Sequence, residues 1–164
     1  MTDRNQEDLR YMQMALDMAK LGRGYTNPNP MVGAVIVKDG QVIAKGYHHC
    51  CGQGHAEVEA FKDAGNQDVT GATIYVTLEP CSHYGKTPPC ADKIIEKKIG
   101  RVVVGALDPN PLVAGRGIEK IRNAGIEVTT GVLAEESIKL NEIFMKYIVN
   151  KEPFVLYKSA MSLD

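Results

Sequence analysis

Residues 73–90 read TIYVTLEPCSHYGKTPPC, a run of β-branched and aromatic residues followed by a proline-rich loop with a cysteine at each end. The run predicts a strand over residues 73–78, and the pattern after the loop predicts a helix over residues 89–98. Cys81 therefore follows a strand, and Cys90 lies near the N-terminus of a helix. Two of the four cysteines of the chain bound this loop.

The segments on either side alternate between strand and helix patterns. The residue pattern around Lys38-Asp39-Gly40 predicts a β-hairpin, and the elements after it alternate as βαβα. The other predicted elements are a helix through residues 9–19, strands at 32–37, 42–47, 101–106 and 128–131, and helices at 55–64, 118–124 and 134–149. This order predicts an α/β fold in which helices pack on a central mixed sheet in three layers.

Length and charge narrow the classes of function. The chain has 164 residues, the size of one domain, and 19 basic against 20 acidic side chains give a net charge of −1. No overall positive field favours nucleic acid or an anionic membrane, and neither a signal peptide nor a membrane span is indicated. We therefore expect a cytoplasmic protein whose cysteines serve a metal or catalysis.

A domain boundary is indicated near the C-terminus. Residues 150–153 read NKEP and precede a short β-like run, FVLYKSA, at residues 154–160. We therefore interpret residues 1–150 as the main domain and residues 151–164 as a linker with the opening strand of a further domain.

A catalytic zinc site accounts for the cysteine loop and for HAEVEA at residues 55–60. Imidazole and thiolate are the usual zinc ligands, and a catalytic site takes three from the protein. His55, Cys81 and Cys90 supply that number. Glu57 would act as the base, because zinc lowers the pKa of bound water towards 7 and a nearby carboxylate can move its proton.

Other assignments stay open for some of these residues. Cys50 and Cys51 are adjacent and lie in a predicted loop, and we expect neither to be a ligand. If either were a fourth ligand, the site would be a structural zinc module. Glu59 and Glu79 are the alternatives to Glu57 as base.

The motifs resemble a known family. His55-Ala56-Glu57 with Pro80-Cys81 and a later cysteine is similar to the zinc cytidine deaminase superfamily, although eight residues separate the two cysteines where two are common. The segments TNPNPMVGAVIVKDG, GYH, TLEPCSHYGKTPPC and DPNPLVAGRG closely resemble the deaminase domain of the bifunctional riboflavin biosynthesis deaminase/reductase. The resemblance covers nearly all of the chain and implies the three-layer αβα cytidine-deaminase-like fold.

That resemblance also implies a reaction and its binding residues. The family replaces the 2-amino group of 2,5-diamino-6-(5-phosphoribosylamino)pyrimidin-4(3H)-one by a carbonyl group. Asn29 and His48 would read the pyrimidine edge, Asp108 and Asn110 would meet the ribose, and Lys86 would meet the phosphate. If Lys86 does not, Arg116 is the next candidate.

Partners and cofactors follow from the same resemblance. We expect one zinc ion per chain and a homo-oligomer, and the resemblance implies a C-terminal reductase domain in the full-length protein, with NADPH needed only for that domain. This chain contains no dinucleotide fingerprint. The alternatives are a deaminase of another nucleotide or of adenosine in transfer RNA, a structural zinc module, and a ligand-binding domain without catalytic activity.

Overall fold

The computed structural model describes residues 3–84, 88–110 and 114–162. Six helices and five strands are present in these ranges. In chain order they are α1 Asp3–Lys20, β1 Gly33–Lys38, β2 Gln41–Tyr47, α2 Ala56–Ala64, β3 Thr73–Leu78, α3 Cys90–Glu96, β4 Arg101–Ala106, α4 Arg116–Asn123, β5 Glu127–Thr130, α5 Ala134–Leu140 and α6 Glu142–Asn150.

The five strands form one mixed sheet in the order β2-β1-β3-β4-β5. β1 is antiparallel to both β2 and β3, whereas β3, β4 and β5 are parallel. The predicted hairpin between β1 and β2 is confirmed, and Asp39 and Gly40 both have positive φ, at 51° and 73°. Such dihedral angles suit a two-residue turn whose twist matches the strands that it joins.

Helices cover both faces of the sheet, which confirms the three-layer αβα prediction. Successive strand residues point to opposite faces, so Val35 and Val103 pack with α1 while Ile36 and Val104 pack with α2, α3 and α4. Both faces of β4 are buried along its whole length. Strands buried in this way read as continuous apolar runs, which is why RVVVGA lacks alternation.

The close packing of α2 on β2 brings the start of α2 to one edge of the sheet. A Cβ atom built on Gly46 of β2 would lie 2.2 Å from the backbone nitrogen of Ala60 and 2.4 Å from the backbone oxygen of Ala56. Only glycine allows the backbone of the helix to come this near. The contact places the first turn of α2 beside the end of β2.

The structure corrects one predicted helix. The pattern predicts a single helix over residues 134–149, but the chain forms α5 and α6 with Asn141 between them, at φ −110° and ψ 24°. The Asn141 side chain is buried and bonds both the backbone nitrogen and the backbone oxygen of Met31, at 2.7 and 2.8 Å. The break in the helix therefore coincides with a long-range contact, between residues 110 positions apart, that the local pattern does not contain.

The C-terminal segment, interpreted as the opening strand of a further domain, has no strand partner among the described residues. Residues 151–162 form neither helix nor strand and are exposed. Val155, Leu156 and Tyr157 are 79%, 81% and 87% exposed, and no described strand pairs with them. A lone β-like segment cannot satisfy its backbone groups or bury its side chains without a partner.

Within the described ranges, no helix has both the length and the apolar character that crossing a bilayer requires.

Candidate active site

The side chains predicted to hold zinc come together at the carboxyl end of β3. His55 Nδ1 lies 3.5 Å from Cys81 Sγ and 3.3 Å from Cys90 Sγ, and the three ligand atoms all lie within 4.8 Å of one another. Tetrahedral zinc, with bonds of about 2.05 Å to nitrogen and 2.3 Å to sulfur, would separate these atoms by about 3.6 Å. The donor types and their spacing therefore fit zinc.

Three different elements position these ligands. His55 is the N-cap residue of α2 and has extended dihedral angles, so its side chain lies at the end of the helix. Cys81 follows β3 after Pro80, and Cys90 is the first residue of α3. The backbone N–H of Cys90 donates to Cys81 Sγ at 3.2 Å, a contact that stabilises a thiolate at a helix start.

The charges of this cluster call for a cation. The hydrogen bond from Cys90, helped by His55 and opposed by burial, lowers the pKa of Cys81 to about 4. The contact with Cys81 and burial both raise the pKa of the Cys90 thiol. One thiolate thus forms readily, whereas a second negative charge at the same place needs a positive partner. A divalent metal ion supplies that partner.

Glu57 lies in the first turn of α2 and is only 3% exposed. Burial and then the negative charge of Cys81 raise its pKa, although the charge of His55 acts in the opposite direction. The two alternative bases are placed differently. Glu59 forms an ion pair with Lys62, and both carboxylate oxygens of Glu79 accept backbone N–H groups. Glu57 is the best placed of the three, because it is buried and interacts with all three ligand side chains, Cys81, His55 and Cys90.

Asn29 and His48 form a hydrogen-bonded chain beside the ligands. His48 Nδ1 lies 3.0 Å from the backbone oxygen of Gly54, and because a carbonyl oxygen only accepts, Nδ1 must carry the hydrogen. His48 Nε2 then accepts from Asn29 Nδ2 at 3.1 Å. Burial lowers the pKa of His48, which favours this neutral ring. The Asn29 carbonyl oxygen is left as the acceptor of that amide.

Asp108 and Asn110 lie beyond the end of β4 and are half-buried. The backbone N–H of Asn110 donates to Asp108 Oδ1 at 2.9 Å, which forms a tight turn. Burial raises the pKa of Asp108, the Asn110 N–H lowers it, and the charge of Glu79 raises it again. Both residues therefore lie at the same edge of the sheet as Cys81, since β3 and β4 are parallel.

Comparison with known proteins identifies the family of this arrangement. Residues 5–106 match the family described as the zinc-binding region of cytidine and deoxycytidylate deaminases. The chain belongs to this deaminase family. The fold and the His/Cys/Cys group fit a zinc-binding deaminase domain, as the resemblance in sequence implied.

Individual relatives of the deaminase are longer proteins. The chain is 55% identical over 157 residues to the riboflavin biosynthesis protein RibD of Aquifex aeolicus, which covers 96% of the chain and 44% of that protein. A solved diaminohydroxyphosphoribosylaminopyrimidine deaminase/5-amino-6-(5-phosphoribosylamino)uracil reductase of Thermotoga maritima is 53% identical, with a TM-score of 0.89 over 92% of this chain and 44% of that one. Acinetobacter baumannii RibD is 50% identical, with a TM-score of 0.88 over 92% and 42%. The chain thus spans less than half the length of these relatives.

Of the other predicted residues, Arg116, Cys50 and Cys51 lie outside the group of ligand side chains. Lys86 lies outside the described residues, and Arg116 is exposed at the first position of α4. Cys50 and Cys51 do not belong to the group of His55, Cys81 and Cys90, the one such group among the described residues. The structure therefore gives no fourth protein ligand from the adjacent cysteines.

The sequence analysis did not predict the structural roles of two buried polar residues near the site, Asn141 and Glu79. Asn141 bonds the backbone of Met31, two residues after Asn29, and Glu79 bonds the backbone of Asp108. A signal for Asn141 exists, because it lies four residues after Ser137 on the side of a predicted helix that faces the core. The sequence gives no such signal for Glu79, because an acidic residue at the end of a strand is as compatible with exposure to solvent as with burial.

Proposed function

We propose that the chain converts 2,5-diamino-6-(5-phosphoribosylamino)pyrimidin-4(3H)-one to 5-amino-6-(5-phosphoribosylamino)uracil in riboflavin biosynthesis. Water replaces the 2-amino group, the carbon–nitrogen bond breaks, and ammonia leaves. The observation that carries the proposal is the group of His55, Cys81 and Cys90 with the buried Glu57 beside it. The names of relatives about 50% identical support the choice of pyrimidine.

His55, Cys81 and Cys90 would hold one zinc ion per chain. When bound, zinc supplies the Lewis acidity that makes water a nucleophile near neutral pH. Two thiolates offset its double charge, and three protein ligands are the number typical of catalytic sites. The absence of Cys50 and Cys51 from the ligand group supports a catalytic rather than a structural site.

The Glu57 carboxylate would move the protons. It accepts a proton from the attacking water, delivers it to a ring nitrogen, and then helps to protonate the departing amine. Its position at the start of α2 supports this role, because His55 from the same end of the helix faces the ligands Cys81 and Cys90. Its burial keeps solvent from competing for the proton.

The substrate would lie between the loops that end β2, β3 and β4. Asn29 would contact the pyrimidine edge, and His48, whose ring nitrogens both have partners, would orient the Asn29 amide. Asp108 and Asn110 would bind the ribose, and Lys86 the phosphate. The carboxyl ends of parallel strands are the usual place for such a site.

We also propose that residues 1–150 form the deaminase domain and residues 151–164 lead into a reductase domain in the full-length protein, which would use NADPH and assemble as a homo-oligomer. The greater length of the relatives supports this division, as does the reductase activity in the name of the Thermotoga maritima protein. Light scattering and an NADPH oxidation assay on the full-length protein and on this chain test it.

The test of the deaminase is an ammonia-release assay on the metal-loaded chain. The phosphorylated diaminopyrimidine is compared with cytidine and deoxycytidylate at equal concentration. We expect ammonia from the diaminopyrimidine only. Release from deoxycytidylate alone would instead assign the chain to nucleotide deamination, and no release from any substrate would contradict both.

A further inference from the structure

We propose that Glu79 is a positioning residue that holds residues 108–110 and 114–117, the described parts of the loop after β4 and the start of α4, in the arrangement that binds the ribosyl phosphate part of the substrate. The proposal rests on the proposed function for the identity of that substrate. Glu79 lies between the last residue of β3 and the ligand Cys81. Glu79 is 5% exposed. None of the catalytic or binding roles proposed above is assigned to it.

Three backbone amides from the far loop converge on this carboxylate. The N–H groups of Asp108 and Gly115 donate to Oε2 at 3.3 and 2.9 Å, and the N–H of Gly117 donates to Oε1 at 3.0 Å. Each oxygen thus has at least one partner from a segment 29 to 38 residues away. Buried backbone N–H groups need acceptors, and this one side chain supplies them to Asp108, Gly115 and Gly117, so the contacts fix the position of Asp108 relative to the start of α4.

Glu79 also caps a helix that cannot cap itself. The N-cap residue of α4 is Gly115, which has no side chain and adopts a positive φ of 80°. The carboxylate of Glu79 takes the place of the missing cap and bonds N–H groups at both Gly115 and Gly117. A negative charge at this end also complements the helix dipole.

The start of α4 contacts the backbone at Pro80, the residue before the predicted ligand Cys81. A Cβ atom on Gly117 would lie 2.0 Å from the backbone oxygen of Pro80, so only glycine allows this approach. Glu79 therefore joins the segment that leads to Cys81 with the segment that carries Asp108. No described contact of Glu79 reaches His55 or Cys90.

This geometry predicts an effect on substrate affinity rather than on the chemical step. Asp108 is held through its backbone by Glu79, and its side chain orients Asn110 through the contact from the Asn110 N–H. If the Glu79 contacts are lost, both side chains change position together. The zinc ligands are held by α2, β3 and α3, so their arrangement is retained.

The first experiment compares Glu79→Gln with Glu119→Gln in the metal-loaded chain. Glutamine has the shape of glutamate, but it turns an NH2 group towards at least one backbone N–H donor. Glu119 is exposed in the first turn of α4, so its substitution removes the same charge near the same helix end without touching the loop. We expect Glu79→Gln to raise KM for the ribosyl phosphate substrate about tenfold to hundredfold, while kcat and zinc content change little. Glu119→Gln should leave KM unchanged.

A second measurement does not depend on the substrate. Amide hydrogen exchange at Asp108, Gly115 and Gly117 should become faster in Glu79→Gln, while exchange in β1 stays as in the unsubstituted chain. Glu79→Asp, which keeps the charge on a shorter side chain, should give an intermediate KM and intermediate exchange rates. It also serves as the test variant if Glu79→Gln does not fold.

Several results would overturn the proposal. Unchanged KM and exchange in Glu79→Gln would do so, as would loss of kcat together with zinc, or failure of both variants to fold, since either would make Glu79 part of the scaffold. If the unsubstituted chain releases no ammonia from the ribosyl phosphate substrate, the proposed function fails instead. The exchange rates then still decide whether Glu79 holds the loop.

Discussion

The two ends of the parallel strands contain buried charges in opposite arrangements. At the amino end, Asp8 of α1 receives two hydrogen bonds of 2.7 Å from Arg101 of β4 and one of 3.0 Å from Tyr75. Arg101 Nε also lies 3.3 Å from Glu127 Oε1. At the carboxyl end, Glu57 lies beside Cys81 and Cys90, and the positive charge that acts on it comes from His55, a predicted ligand, rather than from a lysine or arginine.

The difference shows at which end the buried charges are balanced by other residues of the protein. Burial raises the pKa of Asp8, but the hydrogen bonds from Arg101 and Tyr75 outweigh it, so the pKa is lower than the ordinary 3.8. Burial raises the pKa of Glu57, and no hydrogen bond outweighs it. The amino end therefore favours its charged state within the protein, whereas at the carboxyl end the second thiolate, Cys90, and the Glu57 carboxylate need a bound cation to become charged.

The largest effect is expected from Cys90→Ser. Serine removes one of the two thiolates that offset the charge of the metal, so zinc and ammonia release should be lost together. Elemental analysis and the ammonia assay measure the two. The control is Cys50→Ser, which should keep about one equivalent of zinc. Loss of zinc in the control would make Cys50 a ligand and the site structural.

Glu57→Gln is expected to separate metal binding from turnover. Glutamine keeps the shape of the side chain but cannot accept a proton, so kcat should fall by about 10² to 10⁴ while zinc and the folded state are retained. Glu59→Gln, on the same helix but paired with Lys62, is the control and should retain its rate. A near-normal rate for Glu57→Gln would move the base to another residue.

Asp8→Asn tests the other end of the strands. It leaves the Arg101 charge buried without its main partner and should lower the free energy of unfolding by about 3–5 kcal/mol. The folded variant should keep kcat and zinc, because the two ends are separated by the length of the sheet. Urea unfolding and the ammonia assay measure these quantities.

The matched control for that prediction is Asp17→Asn on the same helix. Its ion pair with Lys20 is exposed, with side-chain exposures of 59% and 50%, so the change should be below about 1 kcal/mol. Equal destabilisation by the two substitutions would mean that the buried pair has no special role. Loss of activity in folded Asp8→Asn would mean that the two ends are coupled.

The smallest effect is expected in the pH dependence of that stability difference. Because the pKa of Asp8 is lower in the folded than in the unfolded chain, its contribution is complete above about pH 4 and decreases as the pH falls towards the folded pKa. The difference in unfolding free energy between the unsubstituted chain and Asp8→Asn should therefore shrink between pH 4 and pH 2.5. A difference that grows on acidification would contradict the assigned sign.

The strands and the hairpin could be predicted because their signals are local, and the three residues predicted as zinc ligands do lie together in the structure. Strands 73–78 and 101–106 match the structure residue for residue, and the turn at Asp39-Gly40 follows from its own dihedral preferences. Helix ends were less accurate, since the helix predicted at 89–98 spans Cys90–Glu96. The spacing of Asn141 from Ser137 indicates its burial, but the break in the helix could not be foreseen, because it depends on the backbone of Met31, 110 residues away.

The sequence by itself determined the α/β class and the hairpin, and it predicted the three ligands and Glu57, because residue type, period and spacing are local properties of the chain. Tertiary structure alone decided the partners of the buried polar groups. Glu79 holds the loop of Asp108, and Arg101 neutralises Asp8, because a buried charge must find its donors wherever the fold places them. Such partners lie 29 and 93 residues apart, beyond the reach of any local pattern.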